Sequence, residues 1–112
     1  MLNQCVLSGN LGHDPETRFY SEDQQLTSFS LAFRVNKSRT GWVRVVCFGR
    51  LAEVAAQYLH RGAKVVVLGS LDQQKWETGD GETRDGFQVI AQSLEFVKTN
   101  GRSEQVEDDP PF

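Results

Sequence analysis

Two tryptophans, a phenylalanine and several cations recur at spacings suited to stacking on flat rings with positive charge alongside. Trp42, Arg44 and Phe48 stand at two- and four-residue intervals, so within a strand all three share one face. Arg50 follows just beyond, and Lys75-Trp76 sets a cation next to an aromatic a second time. Aromatic rings offer platforms for nucleobases, and Lys or Arg nearby neutralises phosphates. Single-stranded nucleic acid asks for both. Such stacking contributes roughly 1–3 kcal/mol per base and tolerates any sequence, because every base has a π-face. The competing arrangement lines the core with Trp42 and Phe48 and turns Val43, Val45 and Cys47 outward. It would bury Arg44 without a partner, which is costly, and would expose a valine row that only a subunit interface could shelter. Arg34, Lys37 and Arg39 suit a phosphate or plain solvation equally.

Other chemistry finds little support. No Ser, His and Asp cluster sits in a recognisable motif, no carboxylate pair lies in an apolar setting, and no Gly-rich loop opens a helix to cradle phosphate. Gly79 and Gly81 flank Asp80 in what reads as a hairpin turn. Cys5 and Cys47 lack metal-ligand spacing and sit in apolar stretches, as buried thiols do. His13 and His60 do not complete a metal set, and His60 reads as a polar residue in the last turn of a helix. The expectation is a binding protein, not an enzyme, with no cofactor and no metal.

The elements that must position these residues follow from periodicity. Residues 4–11 read as a strand, and His13-Asp14-Pro15 as a turn. Residues 26–34 alternate cleanly, with Phe29, Leu31 and Phe33 toward a core and Ser28, Ser30 and Arg34 away from it. A basic hairpin loop over 37–41 leads to a third strand, 42–48. Over 50–61, Leu51, Val54, Ala55, Tyr58 and Leu59 recur at helical spacing, with Gly62 as C-cap. Residues 63–71 form a fourth strand, and Thr78-Gly79-Asp80-Gly81 turns a hairpin that carries Lys75 and Trp76 on its first arm. A last strand, 86–98, changes apolar phase near Ser93-Leu94, the mark of a bulge. The fold class is mainly all-β. Three strands, a helix, then two or more strands predict a five-stranded OB-fold barrel with its helix between strands 3 and 4. A small sandwich with an incidental helix is the alternative.

A chain of 112 residues holds one small domain. No apolar run is long enough to cross a membrane. The opening Met1-Leu2-Asn3-Gln4 does not read as a signal peptide, so a cytoplasmic, nucleoid-associated protein is expected. Net charge is −3, but residues 34–64 hold seven cations against Glu53 alone, while the segment from Arg102 onward holds four acids and one base. The basic middle and acidic end are the informative quantities, not their total.

The C-terminal run Glu107-Asp108-Asp109-Pro110-Pro111-Phe112 cannot build a core. Its acids repel one another, and its prolines remove two backbone donors. A terminal apolar ring with a carboxylate behind negative charge suits a basic pocket with an apolar floor; a solubilising tail is the plainer reading. The expected organisation is a binding domain over 1–98 and a disordered acidic tail over 99–112. Fully extended, that tail would span at most roughly 50 Å.

The stretches "SGNLGHDPETRF" (8–19), "WVRVVCFGRLAEVAAQYLHRGAKVVVLGSL" (42–71) and "KW" (75–76), with the acidic tip ending in Pro-Phe, resemble the bacterial single-stranded DNA-binding protein family. The resemblance covers residues 3–98 and the last six. It implies an OB-fold that assembles as a homotetramer, wraps single-stranded DNA in replication, repair and recombination, and docks replication and repair enzymes through its tail tip. By position it implies stacking on Trp42, Phe48 and Trp76, phosphate contact by Arg44, Arg50, Arg61 and Lys75, and partner binding by Asp108, Asp109, Pro110, Pro111 and Phe112. Arg61 rests on the resemblance alone. The chain also departs from the pattern. The 35–41 loop is short and lacks an aromatic near Lys37. Asp72 and Gln74 stand where some members carry Arg, and Gln4 replaces a frequent Lys. Pro110 replaces an aliphatic residue, and the long spacer before the tip is nearly absent. An OB-fold adaptor whose main ligand is protein is the second reading, and a small nuclease a distant third.

Overall fold

The computed structural model describes residues 1–97 and the backbone of Ser103–Glu107. The strands are β1 (Cys5–Leu11), β2 (Glu16–Phe19), β3 (Gln25–Asn36), β4 (Arg39–Phe48), β5 (Lys64–Glu77), β6 (Thr83–Val97) and β7 (Ser103–Glu107); one helix, α1 (Gly49–Tyr58), stands between β4 and β5. Strand order is β1-β5-β6-β4-β3-β2, and β1 also pairs with β3, which closes the first five into a ring. Closure is short, Asn10 against Ala32 and Leu11 against Leu31. At that crossing a Cβ on Gly9 would lie 1.9 Å from the Ala32 carbonyl oxygen, so only glycine lets the backbones approach this closely. The ring and its helix are the expected OB-fold, with β2 and β7 as additions.

The interior is built by alternation. Phe29 and Leu31 of β3, Val45 and Cys47 of β4, Val65 and Val67 of β5, and Val89 and Leu94 of β6 are all buried in one cluster. Half-buried Val43 packs against it, so the valine row of β4 belongs to the barrel and not to a subunit interface. Phe33 departs from expectation. It is half-buried and outside the cluster, with its ring over Gly41, because β3 outruns the barrel at this end. No disulfide joins Cys5 to buried Cys47.

The helix is held by packing. It has no side-chain cap and no acid in its first turn, and ten residues alone are too few for stability in water. Leu51, Ala52, Val54 and Ala55 face the core. Buried Thr27 pins it from below: its hydroxyl donates to the Ala52 carbonyl at 2.8 Å and meets the Thr17 hydroxyl at 3.0 Å. Gly49 enters the helix at φ +60, left-handed backbone that a side chain would strain. The helix ends at Tyr58, three residues before expectation. Leu59 takes an extended conformation to bury its side chain, and His60 therefore lies outside the helix. Gly62 (φ +86) serves the following turn, closed by the Ala63 N–H on the His60 carbonyl at 2.9 Å.

Two irregularities set the outer shape. The register of β5 against β6 skips Gln92, a bulge one residue before the phase change at Ser93-Leu94. Beyond it, β5 and β6 run on as a two-stranded arm whose residues are mostly exposed from Leu71 onward. The arm ends in the expected turn, with the Gly81 N–H on the Thr78 carbonyl at 3.0 Å. The backbone of β7 returns antiparallel along β6, Val97 against Ser103 through Ser93 against Glu107, in a stretch whose sequence carries no periodicity. The proposed tip, Asp108 to Phe112, lies outside the described residues.

Candidate nucleic-acid interface

β4 turns Trp42, Arg44 and Phe48 to the outside of the barrel, as alternation requires once Val45 and Cys47 fill the inside. Trp42 is 59% and Phe48 43% exposed. Val46 shares this row and is nonetheless buried at 1%. Its neighbours in register are Ser28 on β3 and Ile90 on β6. The outward row is therefore two aromatics and one cation, not four equivalent positions.

Arg44 is the centre of the face. It lines one depression with His13, Asp14, Glu16, Arg18, Ser28 and Ser30. It lines a second, of about 460 Å³, with Gln74, Trp76, Gly86, Phe87 and Gln88. The arm thus folds Trp76 (49% exposed) toward the guanidinium on β4. Among the described residues, the ion pairs are Arg18–Glu16 and Arg84–Glu82, both on exposed side chains. Arg44, Arg50, Arg61 and Lys75 engage no carboxylate there and keep their charge available for an anion.

The remaining cations are less gathered. Arg50 is exposed in the first turn of α1, two residues after Phe48 in the chain. Arg61 lies in the turn after α1; its N–H donates to Asp14 Oδ1 at 2.8 Å, tying that turn to the depression beside Arg44. Lys75 does not join Trp76. Adjacent strand residues point to opposite faces, so Lys75 lies across the arm from the indole. Arg34 and Lys64 line a third groove with Ser8, Asn10 and Thr40, beyond Trp42, whose register partner is Ala32.

Asp72 is half-buried on β5 at the root of the arm, in phase with Gln74 and Trp76. Its Oδ2 accepts from Gln88 Nε2 at 3.0 Å and Gln74 Nε2 at 3.2 Å. These amides satisfy the carboxylate without neutralising it, so it opposes phosphate near Trp76. At the arm's tip, the Thr78 hydroxyl and then the Glu82 N–H donate to Asp80 and hold its carboxyl below the usual range. Among the described residues no group of three His, Cys, Asp or Glu side chains could hold a metal ion, and no helix is long and apolar enough to cross a membrane.

Three neighbours of the site escaped the sequence reading. Tyr20 is 57% exposed and meets Phe48 edge-on, centroids 6.3 Å apart. It follows the four-residue β2, too short to show alternation. Arg18 of β2 lines the depression with Arg44. Phe87 alternates in phase with the buried Val89 and Ala91, yet stands 57% exposed because the arm has left the barrel.

The model of the single-strand binding protein family matches residues 2–97. Two curated relatives, each called single-stranded DNA-binding protein, come from Xanthomonas campestris pv. campestris and Xanthomonas axonopodis pv. citri. Each is 35% identical over 108 residues, which is 89% of this chain and 63% and 60% of the respective relatives. The chain thus spans less than two thirds of their length. With a matching barrel, an outward aromatic–cation row and these relatives, the chain belongs to the single-strand binding protein family.

Proposed function

We propose that this protein binds single-stranded DNA without sequence preference and without catalysis. Trp42, Phe48 and Trp76 stack on bases, and Arg44, Arg50, Arg61 and Lys75 neutralise phosphates. The observation that carries this reading is Arg44 at the junction of two depressions, amid exposed rings and with no carboxylate bound to it among the described residues. Stacking supplies affinity that tolerates any base, while the cations release counterions and make that affinity fall with salt. Tyr20 and Arg18 extend the face past Phe48. In this reading residues 1–98 are the binding domain and 99–112 the tail, with Asp108, Asp109, Pro110, Pro111 and Phe112 docking replication and repair proteins. The protein would coat single strands in the cytoplasm, at the nucleoid, during replication, recombination and repair. A homotetramer is in keeping with apolar side chains on the outer barrel face: Val6 is 63% exposed and pairs in register with half-buried Leu68.

Titration with oligo-dT, followed by tryptophan fluorescence, tests this. The chain has two tryptophans, both in the proposed path, so deep quenching that saturates at a defined nucleotide count is expected. Absence of quenching would favour the second reading, an OB-fold adaptor for a protein ligand, which Asp72 at the root of the arm supports. Trp42→Ala separates the two, since it weakens DNA binding only under the first.

A further inference from the structure

Both tryptophans of the proposed path rest on a glycine, and in the same way. A Cβ built on Gly12 would lie 2.6 Å from Trp42 Cζ3 and 2.9 Å from Cη2. A Cβ built on Gly86 would lie 2.8 Å from Trp76 Cζ3 and 3.0 Å from Cη2. For Trp42 on β4 and Trp76 on β5 alike, the same edge of the six-membered ring fills the space where a side chain would begin. We infer that Gly12 and Gly86 are positioning residues that seat the two indoles for stacking. The inference rests on the DNA-binding reading and adds to it.

Backbone conformation does not call for glycine at either place. The glycines with positive φ are Gly49, Gly62 and Gly81, so alanine at 12 or 86 meets no backbone strain. It meets the indole. Nor can the seats yield easily. The Gly12 N–H donates to the Ser30 carbonyl at 3.2 Å, and the carbonyl of the preceding Leu11 accepts from the Gly62 N–H at 2.9 Å. Gly86 is paired with Gln74 in the β5–β6 ladder. An added methyl group would therefore move the ring rather than the chain. An exposed indole on a strand otherwise samples several rotamers, and ordering it on binding costs affinity. A seat restricts the ring beforehand while leaving Trp42 59% and Trp76 49% exposed to a base.

A glycine covered by an aromatic is also a device of sheet stability, so the test must separate positioning from folding. Gly12→Ala and Gly86→Ala are made in the full chain and titrated with oligo-dT, with thermal unfolding alongside. Each is expected to weaken binding roughly three- to tenfold. The emission anisotropy of the affected tryptophan, isolated by changing the other to Phe, should fall. Gly12→Ala should cost nothing further in a Trp42→Ala background, nor Gly86→Ala in a Trp76→Ala background. Gly86 lies in the exposed arm, away from the core, so its variant keeps the question open to refutation if Gly12→Ala fails to fold. Glycine variants that bind normally while Trp42→Ala and Trp76→Ala bind weakly would overturn the seats and leave the stacking reading standing. So would an equal loss with and without the tryptophan. Unchanged binding by both tryptophan variants would overturn the stacking reading and the seats together.

Discussion

The barrel and the arm present the same kind of residue on different foundations. Trp42, Arg44 and Phe48 stand on β4, whose opposite face is buried in the core. Trp76 and Phe87 stand on two strands that have left the core and are mostly exposed on both faces. On the barrel the rings share their face with Arg44. On the arm, Lys75 points away from Trp76 and the root carries Asp72. Stability and charge are thus concentrated on the barrel, and the arm contributes ring surface that depends on Arg44 across the groove.

The sharpest separation between the two is in stability. Leu31→Ala empties a fully buried position and should cost about 2–5 kcal/mol. Leu71→Ala, at the root of the arm and 46% exposed, should stay within about 1 kcal/mol. Chemical denaturation checks both; equal losses would mean that the arm is part of the cooperative core. Binding should be ranked too. Trp42→Ala should lose about 1–3 kcal/mol of oligo-dT affinity, and Trp76→Ala less, since its ring stands on the exposed arm and Arg44 is the one cation lining its groove. A larger loss for Trp76 would reverse the comparison.

How much of this was legible in the sequence follows the same division. On β4, strict alternation and one cation among the large rings separated the two faces correctly, because the core enforces alternation there. It did not reveal Val46, whose burial depends on strands paired from elsewhere in the chain. On the arm, alternation still holds but no longer reports burial. Phe87 keeps the phase of buried Val89 and Ala91 and is exposed, and Lys75-Trp76, neighbours in sequence, lie on opposite faces. Tyr20 and the strand Ser103–Glu107 leave no periodic signal: Tyr20 follows a strand of four residues, and Ser103–Glu107 is placed by hairpin pairing with the preceding strand rather than by an alternating apolar face. The seats at Gly12 and Gly86 are silent for another reason: a glycine required by a neighbour's ring looks the same in sequence as one required by a turn.

Smaller effects sharpen the comparison at its edges. Tyr20→Ala should weaken binding of long oligo-dT a few-fold, in keeping with an exposed ring beside Phe48, and should leave the shortest oligonucleotides that still bind unaffected. Asp72→Asn should act in the opposite direction. Removing a charge while keeping an acceptor for the Gln74 and Gln88 amides should strengthen binding by about threefold at low salt and by less at high salt. Loss of affinity on Asp72→Asn would mean that the carboxylate orders the groove more than it repels phosphate.

The subtlest expected difference is in acid. Asp80 at the arm's tip is held below its ordinary value of 3.8 by the Thr78 hydroxyl and then the Glu82 N–H. A carboxyl whose folded value is depressed stabilises the structure above its unfolded value, and that contribution is lost as pH falls through the folded one. The turn should therefore loosen below about pH 4. The buried polar residues among those described are Thr27 and Gln88, neither of which titrates, so the barrel interior has no equivalent switch. In a Trp42→Phe variant, the remaining Trp76 should change its emission in acid before the far-ultraviolet circular dichroism of the barrel changes. Asp80→Asn should remove that early step. If Trp76 and the barrel respond together, and Asp80→Asn makes no difference, the arm does not move independently and its separate foundation is lost as an explanation.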